Sequence, residues 1–226
     1  MHATPTLSRL LGNGRAKPVL RSGFFTDATS WILTPLVAKP IWLQTIEIYL
    51  LVDFLASWNH RMFRRGRWWP FHAVHHSSEE LDWMSSIRVH PVNELVGNLC
   101  RAVPMLLLGL NPLLTASTAP VLTVYAVLLH ANVNWDFGPL GGVIASPVFH
   151  CWHHSRDPAA IDKNFAGLFP VWDILSGTSF MPRDRVPENF GIHEPMPMGY
   201  LRQLMHPVAM ATGRAKDRAT REFSTP

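Results

Sequence analysis

The chain has 226 residues, 47% of them hydrophobic and 16% charged, which fits one sizeable folded domain and excludes a disordered segment or a long charged coiled coil. Its formal net charge is +4 with twelve histidines counted as neutral, and its mean hydropathy of +0.07 is too low for a chain built only of bilayer-spanning helices. Two cysteines, Cys100 and Cys151, provide neither a disulfide framework nor a CxxC metal or redox pair, and accord with a reducing compartment.

Residues 1–22 carry Arg9, Arg15, Lys17 and Arg21 without the apolar core of a secretory signal, and are expected to form a basic cytosolic tail. The GNGRAK stretch at 12–17 lacks the strand and third glycine of a phosphate loop and is set aside. Pro35, Lys39 and Pro40 divide the next apolar region into a weak segment over 24–38 and a stronger one from Ile41 to Trp58. As a helix the second would extend about 27 Å, close to the hydrocarbon thickness of a bilayer. Arg61, Arg64, Arg65 and Arg67 follow it directly. The positive-inside rule accounts for that run better than nucleic-acid binding does, and no nucleic-acid partner is expected. Leu95 to Leu110 and Leu113 to His130 form a second apolar pair, broken at Asn111-Pro112, which predicts a helical hairpin with both ends on one side of the membrane. The competing reading is a buried hairpin in a soluble protein. The polar, aromatic-rich stretches 59–94 and 131–205 hold nearly every histidine, so the chemistry is expected at one membrane face. Residues 208–226 read as a flexible charged tail, leaving 23–207 as the membrane domain.

Within those polar stretches one short pattern recurs, His72-Ala-Val-His75-His76 and His150-Cys-Trp-His153-His154. On a helix, positions i, i+3 and i+4 share a face, so each box points three imidazoles the same way. Imidazole is the commonest metal ligand among side chains, and six converging nitrogens exceed the needs of one four-coordinate ion. Two metals are the economical reading. His60 ends one apolar segment and His130 ends another, so both are expected to join the boxes. Asp53 lies almost two helical turns before His60 on the same face. Its carboxylate is expected either to accept a hydrogen bond from a ligating imidazole or to meet an arginine or water near the membrane surface. His90, held extended by Pro91, is expected to be a further ligand or an orienting residue. His2, His193 and His206 lie outside these clusters.

The stretches HRMFRRGRWWPFHAVHHSSEELDWMSSIRVHP, LLHANVNWDFGPL, FHCWHHSRDPAAIDKNFAGLFPVWDILSGT and PENFGIHEPMPMGY resemble successive motifs of the fatty acid hydroxylase, or sterol desaturase, superfamily, over about 41–207. The resemblance implies an all-α integral membrane protein with a histidine-rich, metal-binding helical cap at the cytosolic face. It implies two non-haem irons and O2 as co-substrate, acting to hydroxylate or desaturate a lipid or sterol. Carried over residue by residue, it makes His60, His72, His75, His76, His150, His153 and His154 box ligands and His130 the further ligand after the hairpin. Asp157, Asp162, Asn164, Asp173 and Thr178 fall in family-like stretches, with orienting or capping roles expected.

Two departures stand against that pattern. The first box would read His-Arg-x-x-His, but Arg64 stands at its second histidine. A guanidinium offers no lone pair, and ~5 Å from an iron it would be repelled by roughly 3 kcal/mol per unit of metal charge at an effective dielectric of ~20. It is therefore expected to turn away toward lipid phosphate, leaving one iron a ligand short. The hydrophobic region ahead of the first box is also shorter than the family's. Both support an alternative, a weakened or inactive relative. Electrons would come from an external reductase, ferredoxin or cytochrome, since the sequence has no GxGxxG after a strand, no CxxCH and no iron–sulfur cysteines. A zinc hydrolase is disfavoured because no HExxH occurs and neither box contains an acidic residue.

Overall fold

In a computed structural model the described residues are 23–38 and 40–212. The basic tail expected at 1–22 and most of the flexible tail expected at 208–226 lie outside them. Two compact units divide at Pro40. The first contributes one described helix, α1 (Phe24–Ala38). The second carries α2 (Ile41–Phe63), α3 (Trp69–His76), α4 (Pro91–Leu107), α5 (Pro112–Leu129), α6 (Pro147–His153), α7 (Val171–Leu175), α8 (Tyr200–Leu204) and α9 (His206–Ala211), with 3-10 turns between several of them. Among the described residues there is no β-strand, only an isolated bridge between Ser155 and Phe190. Helix α9 carries regular structure to Ala211, past the expected boundary at 207.

Helix starts follow local chemistry. Asn111 Oδ1 accepts from the amides of Leu113 and Leu114 at the head of α5, and Ser146 Oγ accepts from Phe149 N at the head of α6. Each cap is followed by a proline at the first helical position, where a missing N–H costs nothing. Helix α2 runs past Trp58, the last apolar residue of its segment, to Phe63. The added turn is stable because its polar residues have partners: His60 Nδ1 meets Phe165 O, and Arg61 meets Ser57, Asp173 and Thr178.

Helices α2 and α5 are each long and apolar enough to cross a membrane. Along α2 the buried residues Ile48, Val52, Asp53, Ser57 and Arg61 fall near four-residue spacing, and that stripe faces the rest of the unit. Leu113 and Val124 on α5 are 81% and 71% exposed. A hairpin core helix in a soluble protein would bury such side chains, so the exposed apolar surface favours the membrane over the soluble reading. Helix α6 has two faces. Val148, Phe149 and Trp152 pack into small apolar clusters with Leu129, Ala145, Ala160 and Ala166, and this anchors His150 and His153 on the helix and His154 at its C-terminal cap.

Candidate metal centre

Eight histidines converge in two groups of four. In the first, ligand-capable nitrogens of His60, His72, His76 and His153 lie within 4.8 Å of one another, and in the second those of His75, His130, His150 and His154 do the same. The sorting crosses the helices. Each box gives its i and i+4 histidines to one group and its i+3 histidine to the other, and one histidine from the end of a long apolar helix completes each set. Helices α3 and α6 are thereby used in the same way, with roles exchanged.

The protonation pattern is legible from the hydrogen bonds. His60 Nδ1 lies 3.0 Å from Phe165 O, His75 Nδ1 3.2 Å from Arg88 O, His130 Nδ1 2.7 Å from Ala126 O, and His153 Nδ1 2.7 Å from Lys163 O. Carbonyl oxygens only accept, so these Nδ1 atoms carry the proton and each Nε2 presents a lone pair. His72 Nδ1 lies 3.1 Å from Asn93 Oδ1. The Nε2 atoms face one another: 3.1 Å for His72–His76 and His76–His153, 3.3 Å for His75–His130, 3.1 Å for His130–His150 and 3.2 Å for His150–His154. His60 Nε2 is buried with no hydrogen-bond partner.

For His75 and His130 this geometry is decisive, because two lone pairs face each other at 3.3 Å with no proton between them. Such an arrangement is repulsive unless a cation draws both in. Around a tetrahedral metal with bonds of about 2.0–2.1 Å, neighbouring ligand nitrogens fall ~3.3 Å apart, which matches the spacings here. Burial pushes His72, His75, His76, His150, His153 and His154 well below the usual histidine range, and His130 to about 4. These imidazoles are neutral at pH 7, the form that binds metal. The donor set therefore fits two transition-metal ions, one per group.

Asp53 and His90 are outside both groups. Asp53, 3% exposed, touches no imidazole. Its carboxylate accepts from the backbone amides of Gly167, Leu168 and Phe169 at 3.1, 2.8 and 2.8 Å. His90 caps α4, its Nδ1 accepting from Val92 N while Nε2–H donates to Leu204 O. It thereby fixes the start of the helix that carries Asn93, the partner of His72. Arg64 bonds protein rather than lipid: its Nε donates to Asp162 Oδ1 at 3.1 Å and its guanidinium stacks 4.6 Å above the Trp69 ring, close enough for its charge to act on His60, His72, His76 and His153. Four nitrogens stand in each group without position 64. A cavity of about 260 Å³ adjoins His76 and His153, walled by Arg64, Trp69, Asp162, Arg156, His193 and Glu194 among others. His193 thus lines the site's approach although sequence reasoning set it apart.

The backbone contributors were not identifiable from sequence, whereas Asn164, Asp173 and Thr178 are among the residues for which orienting or capping roles were expected. The carbonyls of Lys163, Phe165, Arg88 and Ala126 carry no sequence signal, since every residue has one. Asn164, in the left-handed region at φ +56°, staples its loop by accepting from Phe180 N and donating to Phe149 O and Phe180 O. Buried Asp173 joins Arg61, Thr178 and the Ala166 amide.

The fatty acid hydroxylase family model matches residues 45–178, a span that contains all eight clustered histidines. The chain belongs to that family. An ornithine lipid hydroxylase of Rhizobium tropici is 29% identical over 74% of this chain and 51% of its own length. Alkylglycerol monooxygenases of Danio rerio and Homo sapiens are 32% and 31% identical over 61% of this chain and 31% of their own length. The chain thus spans about half or less of these relatives. No solved structure matches it.

Proposed function

We propose that this protein is an iron-dependent membrane oxidoreductase that uses O2 to oxidise a lipid C–H bond, with His60, His72, His76 and His153 holding one iron and His75, His130, His150 and His154 the other. The observation that carries this reading is the pair of interleaved four-histidine groups with inward-facing Nε2 lone pairs. When bound, the irons supply the activation of O2 that amino-acid side chains lack. The residues supply the rest. Carbonyls and Asn93 fix ring orientation through Nδ1, burial keeps the imidazoles neutral, and the apolar packing of α6 keeps the donors from moving apart. The cavity beside His76 and His153 has charged walls, which suit the polar end of a lipid more than an acyl chain. The relatives' names, ornithine lipid hydroxylase and alkylglycerol monooxygenase, favour hydroxylation of a polar-headed lipid over desaturation or a sterol substrate.

The arginine-rich end of α2 and the site beyond it are assigned to the cytosolic face by the positive-inside rule. An external electron donor of reductase, ferredoxin or cytochrome type completes the reaction. The inactive-relative reading rests mainly on Arg64 and also on the shortened hydrophobic region; convergence of four imidazoles in each group without position 64 supports the active one. Anaerobic loading of detergent-purified protein with ferrous iron should give two irons per chain, and lipid profiles of cells with and without the gene should differ by an added oxygen on one lipid class. One iron or none, with unchanged lipids, would sink the proposal.

A further inference from the structure

We infer that the two metal positions are unequal: the first group, and not the second, depends on a buried clamp in which Asp53, Asp173 and Arg61 act as positioning residues. The inference rests on the two-metal reading above. Two of the four histidines in the first group take their orientation from one irregular stretch of chain, His153 from Lys163 O and His60 from Phe165 O. That stretch is not itself helical. Asn164 ties it to Phe149 O of α6 and to Phe180, and two carboxylates grip the residues that follow.

Asp53, projecting from the middle of α2, accepts the three successive amides of residues 167–169. Asp173 Oδ2 accepts Ala166 N at 2.7 Å, while its Oδ1 pairs with Arg61 Nη2 at 2.8 Å and accepts from Thr178 Oγ1. Arg61 is on α2 as well, eight positions after Asp53 and next to His60. Amides 166–169 are thus tied to the same helix that carries His60. Asp53 is 3% exposed and Asp173 fully buried, so each carboxylate requires these donors, and the loop in turn is fixed by them. The bonds of Asp53 go to backbone amides, so it works through the backbone.

No histidine of the second group takes its orientation from the 163–169 stretch. His130 is oriented by Ala126 O in the preceding turn of its own helix, and His75 by Arg88 O. The Nδ1 atoms of His150 and His154 take no protein partner at all. Loosening the 163–169 stretch should therefore let two ligands of one group drift while leaving the other group intact.

Asp53→Asn tests this in the full chain. The amide keeps the volume but replaces an acceptor oxygen with an N–H2 that faces backbone donors. Titration with Co(II) alone, followed by its visible absorption, should show two equivalents bound by the unaltered protein. In the variant one equivalent should bind with affinity changed less than about threefold and the other roughly 10–100-fold more weakly, the range found when support of a ligand is lost. Loaded with one equivalent of iron and oxidised, the variant should give the electron paramagnetic resonance of an isolated ferric ion. Equal weakening of both equivalents, as from general destabilisation, or no weakening of either, overturns the inference. Should Asp53→Asn not fold, Thr178→Val decides by the same ratio, since it removes only the hydroxyl that bridges Arg61 and Asp173. Failure of the unaltered protein to take up two equivalents is a separate result and overturns the two-metal reading with it.

Discussion

Arg64 shows how a single residue reads differently before and after its surroundings are known. In the sequence it replaces a histidine, and the loss of a ligand follows from the chemistry of guanidinium. In the structure its side chain is 11% exposed, bonded to Asp162 and stacked on Trp69, at the wall of the cavity that reaches His76 and His153. The expected role of the position thus changes from ligand to wall. Arg64→His should leave metal uptake at two per chain, because eight nitrogens already converge without it. It should also cost about 1 kcal/mol or less of stability, the ordinary worth of one partly exposed ion pair and one ring contact. Metal analysis and thermal unfolding of the variant check both. A third bound metal, or tenfold tighter binding of either of the first two, would show that position 64 limits the site after all.

At the scale of elements, the two box helices are the part most legible in the sequence, because the i, i+3, i+4 spacing itself states that three imidazoles share a face. What spacing cannot state is which face meets which metal. That depends on how α3 and α6 approach each other and on where α2 and α5 end, which is tertiary information. Grouping by box would place His72, His75 and His76 together, whereas the structure gives His75 to the opposite group. Paired substitutions separate the two arrangements. His76→Ala and His153→Ala lie on different helices but in one group, so each alone and both together should cost one metal. His76→Ala with His154→Ala should cost both metals. Metal counts grouped by helix instead of by these sets would overturn the crossed arrangement. Asp53 was legible only in part: burial of a carboxylate in an apolar helix announces a partner, but three backbone amides more than a hundred positions away leave no mark in composition or period.

The whole molecule combines two solvents. The apolar lengths of α2 and α5 suit a bilayer, and the exposed side chains of α5 have no protein cover. Beside them lies a core that is polar by composition, with seven of the eight clustered histidines buried in it. Without metal that core has a definite dependence on pH. Burial holds His72, His75, His76, His150, His153 and His154 well below the usual range and His130 at about 4, whereas in the unfolded chain each titrates near ~6.5. Below that value the unfolded state binds protons that the folded state refuses, so unfolding takes up protons and acid favours it. Stability is therefore full above about pH 6.5 and falls as the pH is lowered toward about 4 for His130 and further for the others, each imidazole contributing up to roughly 1.4 kcal/mol per pH unit within its own window. Bound metal should deepen the effect, because protons then compete with the ion for the same Nε2 lone pairs. Thermal unfolding of the metal-free protein in detergent should move to markedly lower temperature between pH 7.5 and pH 5.5, and the loaded protein should release its metal over the same interval. A midpoint that stays level or rises on acidification would mean that the histidines are already charged in the folded state, and a charged imidazole cluster could not hold the ions assigned to it.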